Sequence, residues 1–106
     1  MIQVNEGSDL AVEAIPLDNN GMPFTPTAMR YRIDCLTTGH NVLEYTDIAM
    51  PAESNIISVP GLLNAIIFDS NPRERKQMTV ETTSGSAVRN DVVDWEVRNI
   101  LGVRPT

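Results

Sequence analysis

Nine consecutive residues, AMRYRIDCL at positions 28–36, alternate between apolar and charged side chains. The apolar residues occupy the odd positions and the charged residues the even ones: Met29, Tyr31, Ile33 and Cys35 against Arg30, Arg32 and Asp34. Successive side chains of a strand point to opposite faces, so this stretch would have one apolar and one charged face. A helix would spread the same residues around its circumference and bury an arginine. The pattern therefore predicts a β-strand buried on one side, and the rest of the chain must supply the other walls of that core.

The length and charge of the chain limit what it can be. Its 106 residues fit a single domain spanning 1–106, with short arms at 1–8 and 102–106. No apolar run approaches the ~20 residues of a membrane span. The start lacks the basic and apolar regions of a signal peptide, so we expect a soluble protein made in the cytoplasm of its producing cell. A net charge of −6 argues against binding a nucleic-acid backbone.

Turn signals divide the chain into about seven short strands at a spacing of roughly 8–12 residues, which is typical of a β-sandwich. The predicted strands cover residues 3–6, 9–17, 28–36, 41–48, 56–59, 75–83 and 87–100. The apolar run LLNAIIF (62–68) fits either a strand or a short helix, and we prefer a helical or 3₁₀ crossover near 62–67. The predicted fold class is thus all-β, an immunoglobulin-like or fibronectin-like antiparallel sandwich.

Alternation also assigns side chains to faces. Leu43 and Tyr45 are predicted to share one face of the strand at 41–48. Trp95 is predicted to face inward, between Val93 and Val97, as the largest packing residue of the core. Met78 is predicted to face inward on the strand before it.

Few residues offer chemistry. His40, the only histidine, lies in a polar turn, and sequence alone provides no partner for it. Cys35, the only cysteine, occupies an inward strand position, and a single cysteine excludes an internal disulfide and any cysteine-based zinc site. Asp91, Asp94 and Glu96 lack the spacing of a calcium loop. We therefore expect no catalytic site, no metal and no cofactor, and the chain is predicted not to be an enzyme.

The densest positive charge is the sequence NPRERK, which contains Arg73, Arg75 and Lys76. Glu74 interrupts this cluster, and the cluster has no neighbouring aromatic residues on which bases could stack, which argues against binding of nucleic acid. Two interpretations remain open. The charges either keep an edge strand from pairing with another chain, or form a salt-bridging patch for an acidic partner.

Four segments together resemble a known group of proteins: NEGSDLAVEAIPLDNNG (5–21), TPTAMRYRID (25–34), NPRERKQMTVET (71–82) and WEVRNILGV (95–103). The chain resembles small proteins of tailed bacteriophages and prophages that consist of one immunoglobulin-like sandwich. The resemblance implies a virion component made in the bacterial host, in particular a capsid decoration or staple protein that binds the major capsid protein. A neck or tail protein is the alternative. The resemblance implies no catalytic residues, and we expect a homo-oligomer, such as a dimer.

A carbohydrate-binding or cell-surface-binding module on the same fold is a further alternative. Such a module would need exposed aromatic side chains, and the chain has only five aromatic residues, most at predicted inward positions. For a virion component the candidate partner-binding residues are charged side chains of two groups: Arg30, Arg32 and Asp34 in the first, and Arg73, Arg75 and Lys76 in the second.

Overall fold

The computed structural model describes residues 1–100, which form seven strands and one 3₁₀ turn. The strands are β1 (Ile2–Asn5), β2 (Leu10–Ala14), β3 (Ala28–Cys35), β4 (Asn41–Asp47), β5 (Asn55–Val59), β6 (Arg73–Ser84) and β7 (Ala87–Arg98); the 3₁₀ turn covers Gly61–Asn64. The predicted strands are therefore all present, with ends shifted by a few residues. The predicted arm at 1–8 contains β1, and the predicted arm at 102–106 lies outside the described residues.

The strands form two sheets, which confirms the predicted all-β sandwich. One sheet has five strands in the order β1-β7-β6-β3-β4, and the other consists of β2 and β5. One pairing departs from the predicted antiparallel pattern: β1 runs parallel to β7, with Ile2 opposite Trp95 and Asn5 opposite Arg98.

The core lies between the two sheets and is built from the alternating apolar positions. Its buried members are Met29, Ile33, Ile57, Val59, Ile66, Met78, Val80, Trp95 and Val97. Trp95 is fully buried, as predicted, and so are Met78 and Val97. The smaller sheet contributes only Ile57 and Val59 to this buried set, because its two strands cover just part of the five-stranded sheet.

The predicted facing of β4 was wrong. The pairing of β4 with β3 shifts register on both sides of the Ile33–Leu43 pair. An irregularity of this kind changes which face the following side chains occupy. Leu43 therefore packs against the core, whereas the ring of Tyr45 lies on the outer face beneath the guanidinium of Arg30.

The apolar run at 62–68 makes one 3₁₀ turn at Gly61–Asn64 and then continues as irregular chain. The predicted crossover between the sheets is thus shorter than 62–67. Ile66 is buried in the core, whereas Leu62 and Phe68 are exposed.

Asn64, at the end of the 3₁₀ turn, holds three parts of the fold together. Its side-chain oxygen accepts a hydrogen bond of 2.8 Å from Trp95 Nε1, and its side-chain nitrogen donates to the Ser8 carbonyl at 2.8 Å. Its backbone carbonyl accepts from the Gly7 N–H at 2.9 Å. A Cβ at Gly61 would collide with the Gly7 carbonyl, so the close approach of these two turns requires glycine at 61.

Candidate binding surfaces

The outer face of the five-stranded sheet carries the first predicted group, and its charges are paired. The Arg30 guanidinium makes two hydrogen bonds to Glu81, of 2.9 and 3.1 Å. Arg32 makes two with Asp34, of 3.0 and 2.9 Å, and these bonds lower the pKa of the Asp34 carboxyl despite its partial burial. These three residues thus lie together as predicted, but each arginine already has a carboxylate partner.

Tyr45 completes this outer face. Its ring centre lies 4.0 Å from the guanidinium carbon of Arg30 and 5.4 Å from that of Arg32. Arginine stacks favourably on aromatic rings, so the two guanidinium groups are held in place by both their carboxylates and the ring. The face is ordered in advance of binding, but it has little unpaired charge with which to attract a partner.

The second predicted group lies at the end of the sheet where β6 begins and β7 ends. Arg73 stands directly opposite Arg98, and Arg75 stands opposite Glu96. Like charges directly opposite each other on a sheet are unfavourable. The carboxylate of Glu96 partly compensates this opposed pair, because it lies 4.0 Å from Arg73 and 3.9 Å from Arg98. We call Arg73, Arg75, Arg98 and Glu96 the basic end patch.

Arg75 is the least compensated charge of the basic end patch. Within residues 1–100 its guanidinium has no carboxylate within 4.0 Å, whereas its backbone is fixed by the turn after β3. The Thr37 hydroxyl accepts from the Arg75 N–H at 2.8 Å, and the Leu36 N–H donates to the Arg75 carbonyl at 2.8 Å. The exposed side chain of Leu36 borders a shallow depression shared with Arg73 and Arg75. The patch therefore combines positive charge with an adjoining apolar side chain.

Lys76 does not belong to this surface. It faces inward on β6, is fully buried, and its ammonium lies 3.4 Å from the Glu74 carboxylate. The reason is the period of the strand, because Glu74 and Lys76 share their face with the buried Met78. Its predicted role in partner binding is therefore corrected: Lys76 is not accessible from the surface.

Glu74 is the centre of a buried polar network. Its carboxylate accepts hydrogen bonds from the Ile67 N–H at 2.7 Å, the Phe68 N–H at 3.1 Å and the Asn71 side chain at 2.9 Å. Burial raises the pKa of this carboxyl, but these three donors and the Lys76 charge outweigh that effect, and the net pKa lies below its usual range. The network fixes the loop that leads into β6, next to the basic end patch.

The residues considered as catalytic or metal-binding candidates do not lie together in one site. His40 is exposed and makes an edge-on contact with the ring of Phe68, at 5.6 Å between ring centres. Cys35 is buried, with its sulfur 3.9 Å from the Glu74 carboxylate. Within residues 1–100, no group of three or more histidine, cysteine or acidic side chains is arranged to hold a metal ion. The buried carboxylate is closed to any substrate, because Glu74, Lys76 and Cys35 are all at most 1% exposed.

Two features of the surface were missed from the sequence. Arg98 joins the basic end patch through strand pairing with Arg73, which is distant in sequence, and no local pattern indicates this. The second feature is the first half of β7, next to the turn that joins it to β6, where every residue from Ala87 to Val92 is exposed. The alternation of this segment (AVRNDV) is weak, which was the available signal.

Comparison with known proteins gives no relative for this chain: no family model, curated protein or solved structure matches it. The fold and the surfaces described above are thus the structural basis for a functional argument. Among residues 1–100, the structure also contains no helix capable of crossing a lipid bilayer.

Proposed function

We propose that this protein is a non-enzymatic structural component of a tailed-phage virion, a capsid decoration or staple protein that binds the major capsid protein. The phage setting rests on the resemblance of the segments at 5–21, 25–34, 71–82 and 95–103. A binding role is supported by the fold, a thin sandwich whose two-stranded sheet leaves strand edges and apolar side chains uncovered.

The observation that carries the binding role is the basic end patch. The chain has 14 acidic and 8 basic residues, yet three arginines gather here around one carboxylate, Glu96. A local excess of positive charge on an acidic protein steers and orients an acidic partner. The arrangement favours an acidic surface of the capsid protein as the partner, with Leu36 supplying apolar contact at the margin.

The first predicted group fits the same role less well. The charges of Arg30 and Arg32 are each compensated by a carboxylate, so a partner would have to compete with existing bonds. We therefore assign the main contact to Arg73 and Arg75 and treat the surface formed by Arg30, Arg32 and Asp34 as secondary.

A neck or tail protein would use the same surfaces and differs in copy number. A carbohydrate-binding module is less well supported. Trp95 is fully buried, and Tyr45 is covered by arginine. Phe68 is the one aromatic side chain of the described residues that is well exposed, and a single ring against His40 forms a poor platform for sugar.

The test measures binding to purified phage particles that lack this protein. Wild-type protein should bind in hundreds of copies per particle, whereas about a dozen copies would indicate a neck or tail ring. The double variant R73E/R75E should bind at least about tenfold more weakly, because each reversal turns attraction into repulsion. R30Q is the matched control on the outer face and should bind within about twofold of wild type.

The proposal fails if wild-type protein does not associate with any particle fraction. If particles bind but R73E/R75E binds as well as wild type, the virion role stands and the basic end patch is not the contact. The folded state of each variant is checked by the fluorescence of Trp95, which is fully buried and therefore reports on the packing of the core.

A further inference from the structure

One edge of β7 is unpaired along most of its length within residues 1–100. β7 pairs with β6 along its whole length, but β1 covers its other side only from Trp95 to Arg98. Within residues 1–100, no strand pairs with that side from Ala87 to Asp94. A long free edge is a template for another strand, and proteins normally shorten, cover or charge such edges.

The direction of the backbone groups along this edge follows from the pairing with β1. The Arg98 carbonyl accepts from the Glu6 N–H, so the backbone of Arg98 points to the β1 side. Strand backbone groups alternate in direction, and the β6–β7 register has no irregularity between Ala87 and Arg98. The N–H and C=O groups of Val88, Asn90 and Val92 therefore point outward from the sheet at the free edge.

The side chains of the edge are self-complementary. Val88 and Val92 lie on the outer face and are 58% and 61% exposed. Arg89 and Asp91 lie on the inner face and are paired with each other at 3.2 Å, both more than half exposed. Around Asn90 the sequence thus reads valine, cation, asparagine, anion, valine.

We propose that two copies of this chain pair antiparallel through their β7 edges, with Asn90 opposite Asn90 on a two-fold axis. This register places Val88 opposite Val92 and Arg89 opposite Asp91 of the second copy. About six backbone hydrogen bonds would form, two from each hydrogen-bonded pair. The two five-stranded sheets would become one continuous sheet of about ten strands.

Three constraints together select this register. Hydrogen-bonded pairs must join residues whose backbones face each other, so even-numbered residues must oppose even-numbered ones. Shifting the axis by one residue in either direction would oppose Arg89 to Arg89 or Asp91 to Asp91, and like charges directly opposite are unfavourable. The free segment Ala87–Asp94 is centred between Asn90 and Asp91, so only registers with the axis at one of these two residues fill it, and the axis at Asp91 is the one that opposes Asp91 to Asp91.

Inward-facing charges on an edge strand ordinarily discourage pairing with other chains. Arg89 and Asp91 would have that effect against an arbitrary strand. Against a second copy in the two-fold register they become complementary, which selects self-pairing over general aggregation. The proposal does not rest on the virion role, because it is argued from the β7 edge alone.

Cysteine cross-linking tests the register directly. In the full chain, N90C should form a disulfide-linked dimer under mild oxidation, since opposed residues lie ~5.5 Å apart at Cα, within disulfide reach. V88C alone should not, because position 88 of each copy would lie about 14 Å along the strand from its own counterpart. The double variant V88C/V92C should cross-link again. The native Cys35 is buried and is common to all three variants.

Charge exchange tests the same interface without cross-linking. In sedimentation equilibrium, R89D should weaken dimerisation by about tenfold or more, since the introduced carboxylate would oppose Asp91 of the second copy at both ends of the two-fold pairing. The exchange variant R89D/D91R should return to within about threefold of wild type. N90P should stay folded, because the N–H that it removes makes no bond within the chain. It should be monomeric, because the pairing at the two-fold axis loses the Asn90 N–H donors of both copies.

The proposal is overturned if wild-type protein remains monomeric up to about 0.5 mM, or if V88C cross-links as readily as N90C. Particle binding is measured separately, so failure of this dimer and failure of the virion role are distinguishable.

Discussion

The β6–β7 hairpin has two halves that share one backbone pattern and differ in what covers them. The basal half joins residues 73–78 of β6 to 93–98 of β7, and the distal half joins 79–84 to 87–92. One unbroken antiparallel register runs through both, closed by a two-residue turn at 85–86. Gly85 has φ of 63°, as the first position of a type II′ hairpin turn requires.

The two halves differ in what covers the inner face and the outer edge of β7. In the basal half Glu74, Lys76, Trp95 and Val97 are all fully buried, and β1 lies along the β7 edge. In the distal half the inward-facing Arg89 and Asp91 of β7 are more than half exposed, although Val80 and Thr82 of β6 are buried, and no strand pairs with the outer β7 edge within residues 1–100. Because the strand register is the same in both halves, the difference in burial comes from the elements that pack around the hairpin. The distal half is left available for contacts with other chains.

The largest expected effect comes from breaking the buried charge pair of the basal half. E74L leaves the Lys76 ammonium buried without a partner and removes the acceptor for Ile67 and Phe68 N–H. We expect a loss of about 3–5 kcal/mol in the free energy of unfolding, measured by urea denaturation. The added change K76M should recover part of this loss, because the unpaired charge is then gone.

The matched change in the distal half is E81L, which removes the exposed pair with Arg30. It should alter stability by less than about 1 kcal/mol. If E74L and E81L cost the same, the distinction between the two halves is wrong.

A smaller effect is expected from the hydrogen bond between Trp95 and Asn64. W95F removes the donor to a buried amide oxygen and leaves a small cavity. The expected loss is about 2–3 kcal/mol, read from the shift in the denaturation midpoint. V92A in the distal half, measured at a concentration where the chain is monomeric, should change stability by less than about 0.5 kcal/mol, and a larger cost would mean that Val92 is covered within the monomer.

The smallest expected effect is the loss of folding stability at acidic pH. The folded pKa of Glu74 lies below its usual value, which is ~4.3 in an unfolded chain. Stability from this carboxylate is therefore present above about pH 4.3 and is lost as pH falls through the folded pKa. Denaturation midpoints measured from about pH 7 to about pH 3 should fall more steeply for wild type than for E74Q. Parallel curves would show that Glu74 does not carry this acid sensitivity.

Much of the fold could be predicted because most strands alternate strictly. Residues 28–35 show their apolar face directly, and the inward set around Trp95 follows from the same period. The facing of Tyr45 could not be predicted, since it depends on register shifts between β3 and β4 that arise only on pairing. The parallel position of β1 likewise depends on a contact with residues at the other end of the chain.

The candidate surface was only partly predictable. Arg73 and Arg75 share a face, as their spacing of two implies, whereas Lys76 lies one position out of phase. That parity is visible in the sequence, but the position of Lys76 in a charged run favours a surface side chain. Burial of the Glu74–Lys76 pair needs the donors of residues 67–71, which only the folded loop brings into reach.

The parallel pairing of β1 with β7 has a mechanical consequence. Tension applied between the segment before Ile2 and the segment after Arg98 pulls these two strands along their length in opposite directions. Their connecting hydrogen bonds are then loaded in shear and must break together, whereas an antiparallel hairpin pulled at its open end separates one bond at a time. Resistance to such force is governed by the rate of unfolding, not by equilibrium stability. The four residues of β1 thus join the first and the last strand of the sandwich in a geometry that resists this force.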